Sequence, residues 1–311
     1  MFEILYPVFI FLIGSIMLFF GSEYMVENSS LLAKRNNISP VVVGVTIIAF
    51  GTSLPELVVS INASFNNLPN LIVGNIIGSN ISNICLVLGL VLLFFNFKML
   101  DVLNAKNNLY SLFIITIVFS FLISTNGKLG FSSSLLLLFL FLIYLFIIFK
   151  SHNTNNQNKD FINVNLFKII LFIIVGLLLV VFGSELFIKG ALGIAGFFGF
   201  GNSVVGLTVV ALGTSLPELF VSMNAAVKKE YDFIFGNVIG SNIINIVLVG
   251  GLVGLFNDVS YISLEYYYSI TVLCIVTILL IILFMHKIIL NRILGSVFII
   301  IYFIFLYINF I

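Results

Sequence analysis

About ten apolar stretches, most close to twenty residues long, follow one another along the whole 311-residue chain, parted by short polar breaks. That succession constrains the fold more than any other feature. About 20 apolar residues carry an α-helix across the hydrocarbon core of a bilayer, and only helices or closed barrels satisfy their own backbone there. The stretches lie approximately at 4–31, 41–66, 71–95, 108–125, 130–149, 166–189, 203–227, 233–256, 266–285 and 290–310. Only 8% of the residues are charged, against roughly 25% in soluble domains, so most of the chain has lipid as its solvent. The expected fold class is an all-α polytopic membrane protein with ten transmembrane helices. The first stretch lacks the basic region of a secretory signal and is too long for one, so it reads as a retained span.

Loop charge fixes an expected orientation. With the N-terminus outside, eleven of the thirteen basic residues fall on the inside, among them Lys34, Arg35, Lys98, Lys150, Lys228 and Lys229. Only Lys128 and Lys189 fall outside, as the positive-inside rule requires. Both termini are therefore expected outside, in a prokaryotic plasma (inner) membrane. The longest polar stretch, SHNTNNQNKD at 151–160, is read as an inside linker. The chain thus divides into a first five-helix half at 1–150, a cytoplasmic linker at 151–165, and a second half at 166–311. The net charge of +1 gives no reason to expect a nucleic-acid partner. Cys85 and Cys274 lie in apolar runs and read as small buried hydrophobes, and no Cys/His cluster suggests zinc.

Residues 21–83 align with residues 183–245 without a gap, at an offset of 162, with 29 identities in 63 pairs. The identities include the polar positions. GTSLPEL at 51–57 recurs at 213–219, GNIIGSN at 74–80 recurs as GNVIGSN at 236–242, and Gly21-Ser22-Glu23 recurs as Gly183-Ser184-Glu185. Five spans, an odd number, separate equivalent points, so the two copies are expected to cross the membrane in opposite directions. Inverted repeats of this kind mark secondary transporters, with the site near the midplane where the repeats meet.

Glu56 and Glu218 sit inside apolar runs, where an ionised carboxylate costs at least several kcal/mol unless it faces partners, water or a cation. Ala49, Thr52, Ser53 and Glu56 share one helix face by their spacing, and Ala211, Thr214, Ser215 and Glu218 repeat it. Pro55 and Pro217 each remove a helical N–H and bend the helix, freeing a carbonyl one turn back. Ala49 and Ala211 offer only their backbone carbonyls. Ser79 with Asn83, and Ser241 with Asn245, add oxygens one turn apart on the following spans. Every donor in this set is a hard oxygen, which suits Ca²⁺ and Na⁺ rather than Zn²⁺ or Cu²⁺. Two carboxylates balance one Ca²⁺ or are shared by several Na⁺. Without a cation they repel one another, so protons are expected to compete with Ca²⁺.

At these residues the chain resembles the sodium/calcium exchangers of the cation/calcium exchanger superfamily, in the prokaryotic form without a regulatory domain. The resemblance rests on GTSLPE with GSNISN in the first half and GTSLPE with GSNIIN in the second. It implies ten helices, a central set made by spans two, three, seven and eight, and alternating access with spans one and six sliding as a gating pair. It also implies that Glu56 and Glu218 are the central ligands shared by Ca²⁺ and Na⁺. Thr52, Ser53, Ser79, Thr214, Ser215 and Ser241 would add side-chain oxygens, Ala49 and Ala211 carbonyls, and Asn83 and Asn245 the middle of the site. Some relatives carry Asp at the position of Asn245, and its absence argues against a potassium-dependent exchanger.

The expected function is a Na⁺/Ca²⁺ antiporter, with the transported ions as its substrates and no cofactor. The alternative is a Ca²⁺/H⁺ antiporter, although the proton-coupled relatives usually lack GTSLPE in both repeats. A channel would need no counter-ion, and the inverted repeat argues against it. An enzyme is not expected: HExxH is absent, GTSLPE lacks the GxSxG spacing of a nucleophile elbow, and no His lies near a candidate serine. Glu23 and Glu185 are expected to anchor or gate helices rather than bind ions.

Overall fold

The computed structural model describes residues 2–98, 105–126, 128–151, 164–198, 213–256, 259–260, 264–286 and 289–310. These residues form helices α1 (Phe2–Asn36), α2 (Pro40–Thr52), α3 (Leu54–Phe65) and α4 (Pro69–Phe94), then α5 (Ala105–Asn126) and α6 (Phe131–Ser151). The second half supplies α7 (Leu166–Phe197), α8 (Leu216–Val227), α9 (Tyr231–Leu255), α10 (Leu264–Met285) and α11 (Arg292–Phe310). Among the described residues seven helices are long and apolar enough to cross a membrane, and eight if the bent pair α2–α3 is one span. The predicted linker lies almost wholly outside the described residues, as does the start of the predicted seventh span, 203–212.

Helices α4 and α9 are buried along most of their length. Around them the halves interleave. First-half helices α5 and α6 pack on α9, and second-half helices α10 and α11 pack on α4. Two short antiparallel pairings also join the halves. Phe97–Lys98 (β1) pairs with Ile289–Leu290 (β4), and Lys128–Leu129 (β2) pairs with Val259–Ser260 (β3).

Long helices α1 and α7 run antiparallel against each other, in backbone contact through glycines seven residues apart. A Cβ at Gly21 would lie 2.8 Å from the Gly176 carbonyl oxygen, and one at Gly176 would lie 2.8 Å from that of Gly21. Gly14 and Gly183 oppose each other in the same way. Small residues at such a seam let helices approach where lipid supplies no hydrophobic drive. The outer faces carry Phe9, Leu12 and Ile16 on α1 and Phe167, Ile170 and Phe182 on α7, all exposed and apolar, as helices bathed in lipid require.

The α3–α4 and α8–α9 turns are alike. Asn67 and Lys229, equivalent under the 162-residue offset, adopt left-handed φ of 53° and 58°. The amide after each reaches back to a helix carbonyl, Leu68 N to Ala63 O at 2.9 Å and Glu230 N to Ala225 O at 2.8 Å. This is the Schellman closure of a helix C-terminus.

Candidate functional site

The acid-bearing helices break where the sequence puts proline. Between α2 and α3 the axis turns by 44°, and the hinge residue Ser53 has φ −85° and ψ 5°. Ser215, before α8, repeats it at φ −88° and ψ 2°. Pro55 and Pro217 then occupy the first turn of the new helix, where a missing N–H leaves no bond unmade. The break places Glu56 and Glu218 in that same first turn, where the helix dipole favours a negative charge.

Both acids are buried, Glu56 at 1% exposure and Glu218 at 0%. Ser53 Oγ donates across the halves to Glu218 Oε1 at 3.3 Å. Among the described residues, neither oxygen of Glu56 and not Oε2 of Glu218 meets a hydrogen-bond donor. Thr52 Oγ1 donates to Asn237 Oδ1 at 3.0 Å and lies 3.3 Å from Ser241 Oγ. The Ala49 carbonyl faces this pair, 3.3 Å from Thr52 Oγ1 and 3.5 Å from Ser241 Oγ.

The structure thus brings Ala49, Thr52, Ser53, Glu218 and Ser241 into one connected cluster. Asn75 links Glu56 and Ser79 to one another, donating to the Glu56 carbonyl at 3.0 Å and accepting from Ser79 Oγ at 3.5 Å. Asn83 and Asn245 each open a π-helical turn, Asn83–Val87 and Asn245–Val249. Such wide turns often mark functional positions. The Asn83 turn packs against α8, which carries Glu218, and the Asn245 turn packs against α3, which carries Glu56. Both side-chain amides are fully buried, with oxygen and nitrogen unpartnered among the described residues, and Ser215 Oγ is in the same condition. Thr214 is buried. Ala211 lies outside the described residues.

Buried polar atoms are nearly always paired, so this concentration of unpaired carboxylate, hydroxyl and amide oxygens is what a cation would satisfy. Among the described residues no group of three or more His, Cys, Asp and Glu forms a metal site. The donors are hard oxygens from two carboxylates, hydroxyls, amides and a carbonyl, a set suited to Ca²⁺ or Na⁺.

Sequence reasoning passed over Asn75 and Asn237. Each donates twice, to the carbonyl of the site glutamate and to a serine one turn on. Asn75 reaches Glu56 O and Ser60 Oγ (2.8 Å), and Asn237 reaches Glu218 O (3.1 Å) and Ser222 Oγ (3.0 Å). The signal was present: both lie in the repeated GN motif, one turn before Ser79 and Ser241.

Glu23 and Glu185 lie away from this cluster. Glu23, with Glu27, holds Lys228 in the turn before α9, at 3.5 and 2.6 Å. Glu185 pairs with Lys189 on its own helix at 4.0 Å. Cys85 is buried and Cys274 half-buried, both as free thiols.

A family model described as sodium/calcium exchanger protein matches residues 6–150 and 168–311. An uncharacterised membrane protein of Methanocaldococcus jannaschii is 38% identical over 239 residues, which are 76% of this chain and 77% of that protein. The sodium/calcium exchanger MaX1 of Methanosarcina acetivorans is 30% identical over 314 residues, 88% of this chain and 89% of its own. A solved structure of the sodium-calcium exchanger NCX_Mj, soaked with 10 mM Na⁺ and no Ca²⁺, superposes with a TM-score of 0.84 at 35% identity. It covers 97% of this chain and 98% of that one.

Proposed function

The chain belongs to the sodium/calcium exchanger family, and we propose that it is a secondary antiporter exchanging Na⁺ for Ca²⁺ at a site built on Glu56 and Glu218. Family membership makes it an integral-membrane cation/Ca²⁺ exchanger, a transporter rather than an enzyme. The observation that carries the finer reading is the buried pair of acids from two copies of one motif. Ser53 of one copy hydrogen-bonds to Glu218 of the other, while three of the four carboxylate oxygens meet no protein donor among the described residues. Ca²⁺ and Na⁺ compete for these same oxygens, and coupling follows from that competition. A carrier without cations holds two unneutralised carboxylates in the membrane and crosses poorly, which limits leak.

The architecture proposed is ten spans in two inverted five-helix repeats, residues 1–150 and 166–311, joined by the linker at 151–165, with both termini outside. The strand pairings agree with this order of spans, since each pair, β1 with β4 and β2 with β3, joins two loops that it places on one face. The loop charges assign the first two to the inside and the last two to the outside. The metal ligands proposed are Ala49, Thr52, Ser53, Glu56, Ser79, Asn83, Ala211, Thr214, Ser215, Glu218, Ser241 and Asn245.

The test is ⁴⁵Ca²⁺ uptake into proteoliposomes loaded with Na⁺, against vesicles loaded with K⁺ or carrying an acid interior. Uptake that requires internal Na⁺ is the expected result. Uptake driven by the proton gradient alone reassigns the coupling ion to H⁺, and flux without any counter-ion overturns the antiporter.

A further inference from the structure

Helix α8 carries Glu218 in its first turn, and Lys228 follows immediately after its last residue. The helix closes on that lysine, whose N–H donates to Asn224 O at 3.0 Å. At a rise of 1.5 Å per residue the two positions stand about 15 Å apart on one stiff rod. Pro217 interrupts the hydrogen-bond ladder at the Glu218 end. The axis of α8 therefore depends on its side contacts and on how its far end is held.

That far end is held by α1, against which α8 packs. Asn224 Nδ2 donates to Ser22 Oγ at 3.5 Å. Lys228 Nζ lies 3.5 Å from Glu23 Oε1 and 2.6 Å from Glu27 Oε1. Glu23 and Glu27 are one turn apart on α1, where like charges repel. A single ammonium between them relieves that repulsion and ties the two helices together. Glu230, the residue before α9, accepts from Ser30 Oγ at 2.7 Å, so α1 holds the turn on both sides of the left-handed Lys229.

The carboxylate that faces the cation and the charge that anchors the helix are thus opposite ends of one rod. We propose that Lys228 is a positioning residue for the cation site. With Glu23 and Glu27 it sets where α8 stands along α1, and through α8 where the Glu218 carboxylate stands against Ser53. The inference rests on the antiporter reading for its ligand. A carboxylate already in place binds with less ordering cost than one that must be brought there. The anchoring pairs are partly exposed, so salt weakens them, and the affinity of the site follows. Asn66 stands in the first half where the second has Lys228, and its amide donates back to Asn62 O on its own helix at 2.8 Å. The charged anchor belongs to the Glu218 copy.

Calorimetric titration of the purified full chain with Ca²⁺ tests the proposal. Lys228→Met is expected to weaken binding about twofold to fivefold at low ionic strength. The difference from wild type should fade in about 1 M choline chloride, where screening acts within about 3 Å. Lys228→Glu weakens binding further, and Glu27→Lys added to it restores part of the loss. Glu185→Gln, which removes an exposed pair on α7, leaves the affinity at the wild-type value. A role confined to stability lowers the melting midpoint of Lys228→Met without changing its Ca²⁺ affinity, and that result overturns the proposal. So does an equal loss of affinity in Lys228→Met and Glu185→Gln.

Mercury cross-linking reads the position of residue 218 without Ca²⁺ or Na⁺. In a background of Cys85→Ala and Cys274→Ala, Ser53→Cys with Glu218→Cys puts two thiols where Ser53 Oγ and Glu218 Oε1 lie 3.3 Å apart. The bridge is expected to form faster with Lys228 in place than with Lys228→Met at low ionic strength. Equal rates, or no bridge with Lys228 in place, overturn the proposal. A wild-type protein that binds no Ca²⁺ removes the antiporter reading and leaves the cross-linking rates to judge the anchor.

Discussion

Glu56→Gln separates the charge of the site from its shape. Glu56 is 1% exposed, and neither carboxylate oxygen receives a hydrogen bond among the described residues. Glutamine has the same size, so the exchange breaks no side-chain contact on which folding depends. It removes one of the two charges set against the cation. Taking one partner from a buried charge pair costs about 3–5 kcal/mol, which is two to three orders of magnitude or more in affinity at about 1.4 kcal/mol per factor of ten. A ligand at 100 times its Kd stabilises the folded state by about 2.7 kcal/mol; once Kd has risen to the ligand concentration, about 0.4 kcal/mol remains. The assay is thermal unfolding in detergent, with and without Ca²⁺ at about 100 times the wild-type Kd, beside ⁴⁵Ca²⁺ exchange. The variant should melt at or above the wild-type midpoint without Ca²⁺, because a buried charge has gone. Its Ca²⁺-induced rise should shrink to a small remnant, and exchange should be lost. A Ca²⁺-induced rise of wild-type size in a folded Glu56→Gln protein would refute the ligand assignment.

Ser53→Ala removes the hydroxyl that donates to Glu218. A hydrogen bond to a charged group is worth about 1.5–3 kcal/mol, so Ca²⁺ should bind at least tenfold more weakly, as isothermal titration would show. Lys228→Met frees Glu23 and Glu27, but these side chains are partly exposed and the loss should stay below about 1 kcal/mol; the drop in melting midpoint should appear at low salt and fade at high salt. Lys229→Gly relieves a left-handed backbone at φ 58° and should raise the midpoint, whereas Lys229→Val should lower it, each by roughly 1 kcal/mol.

Much of the fold was legible because lipid imposes few solutions. Helix length follows from bilayer thickness, and the bend at Ser53 follows from Pro55. The candidate acids stand out in the sequence because Glu56 and Glu218 lie in apolar runs and occur twice, and the structure buries both. The π-helical turns that begin at Asn83 and Asn245 were not, since an asparagine preceding an apolar run looks the same in an unbroken α-helix. Nor was the interleaving of α5 and α6 on α9, because Leu, Ile and Phe faces carry no mark of which apolar surface they meet. Asn75 and Asn237 escaped for a different reason. Their bonds run to backbone carbonyls and neighbouring hydroxyls, and an asparagine that does so has no spacing of its own in the sequence.

Equal sequence does not give the copies equal energy. The Gly-Ser-Glu triplet is identical at 21–23 and 183–185, yet among the described residues Glu23 finds Lys228 while Glu185 finds its own neighbour Lys189. The difference lies in the partner turn. Where one copy has Lys228, Lys229 and Glu230, the other has Asn66, Asn67 and Leu68. Glu230 adds to the first turn's hold on α1, accepting from Ser30 Oγ at 2.7 Å and lying 3.8 Å from Lys34. Under alternating access, two facings built from identical core motifs would be equally populated if nothing else distinguished them. Under the proposed exchange, the divergent turns and their unequal grip on α1 are one place where the two facings differ in their contacts.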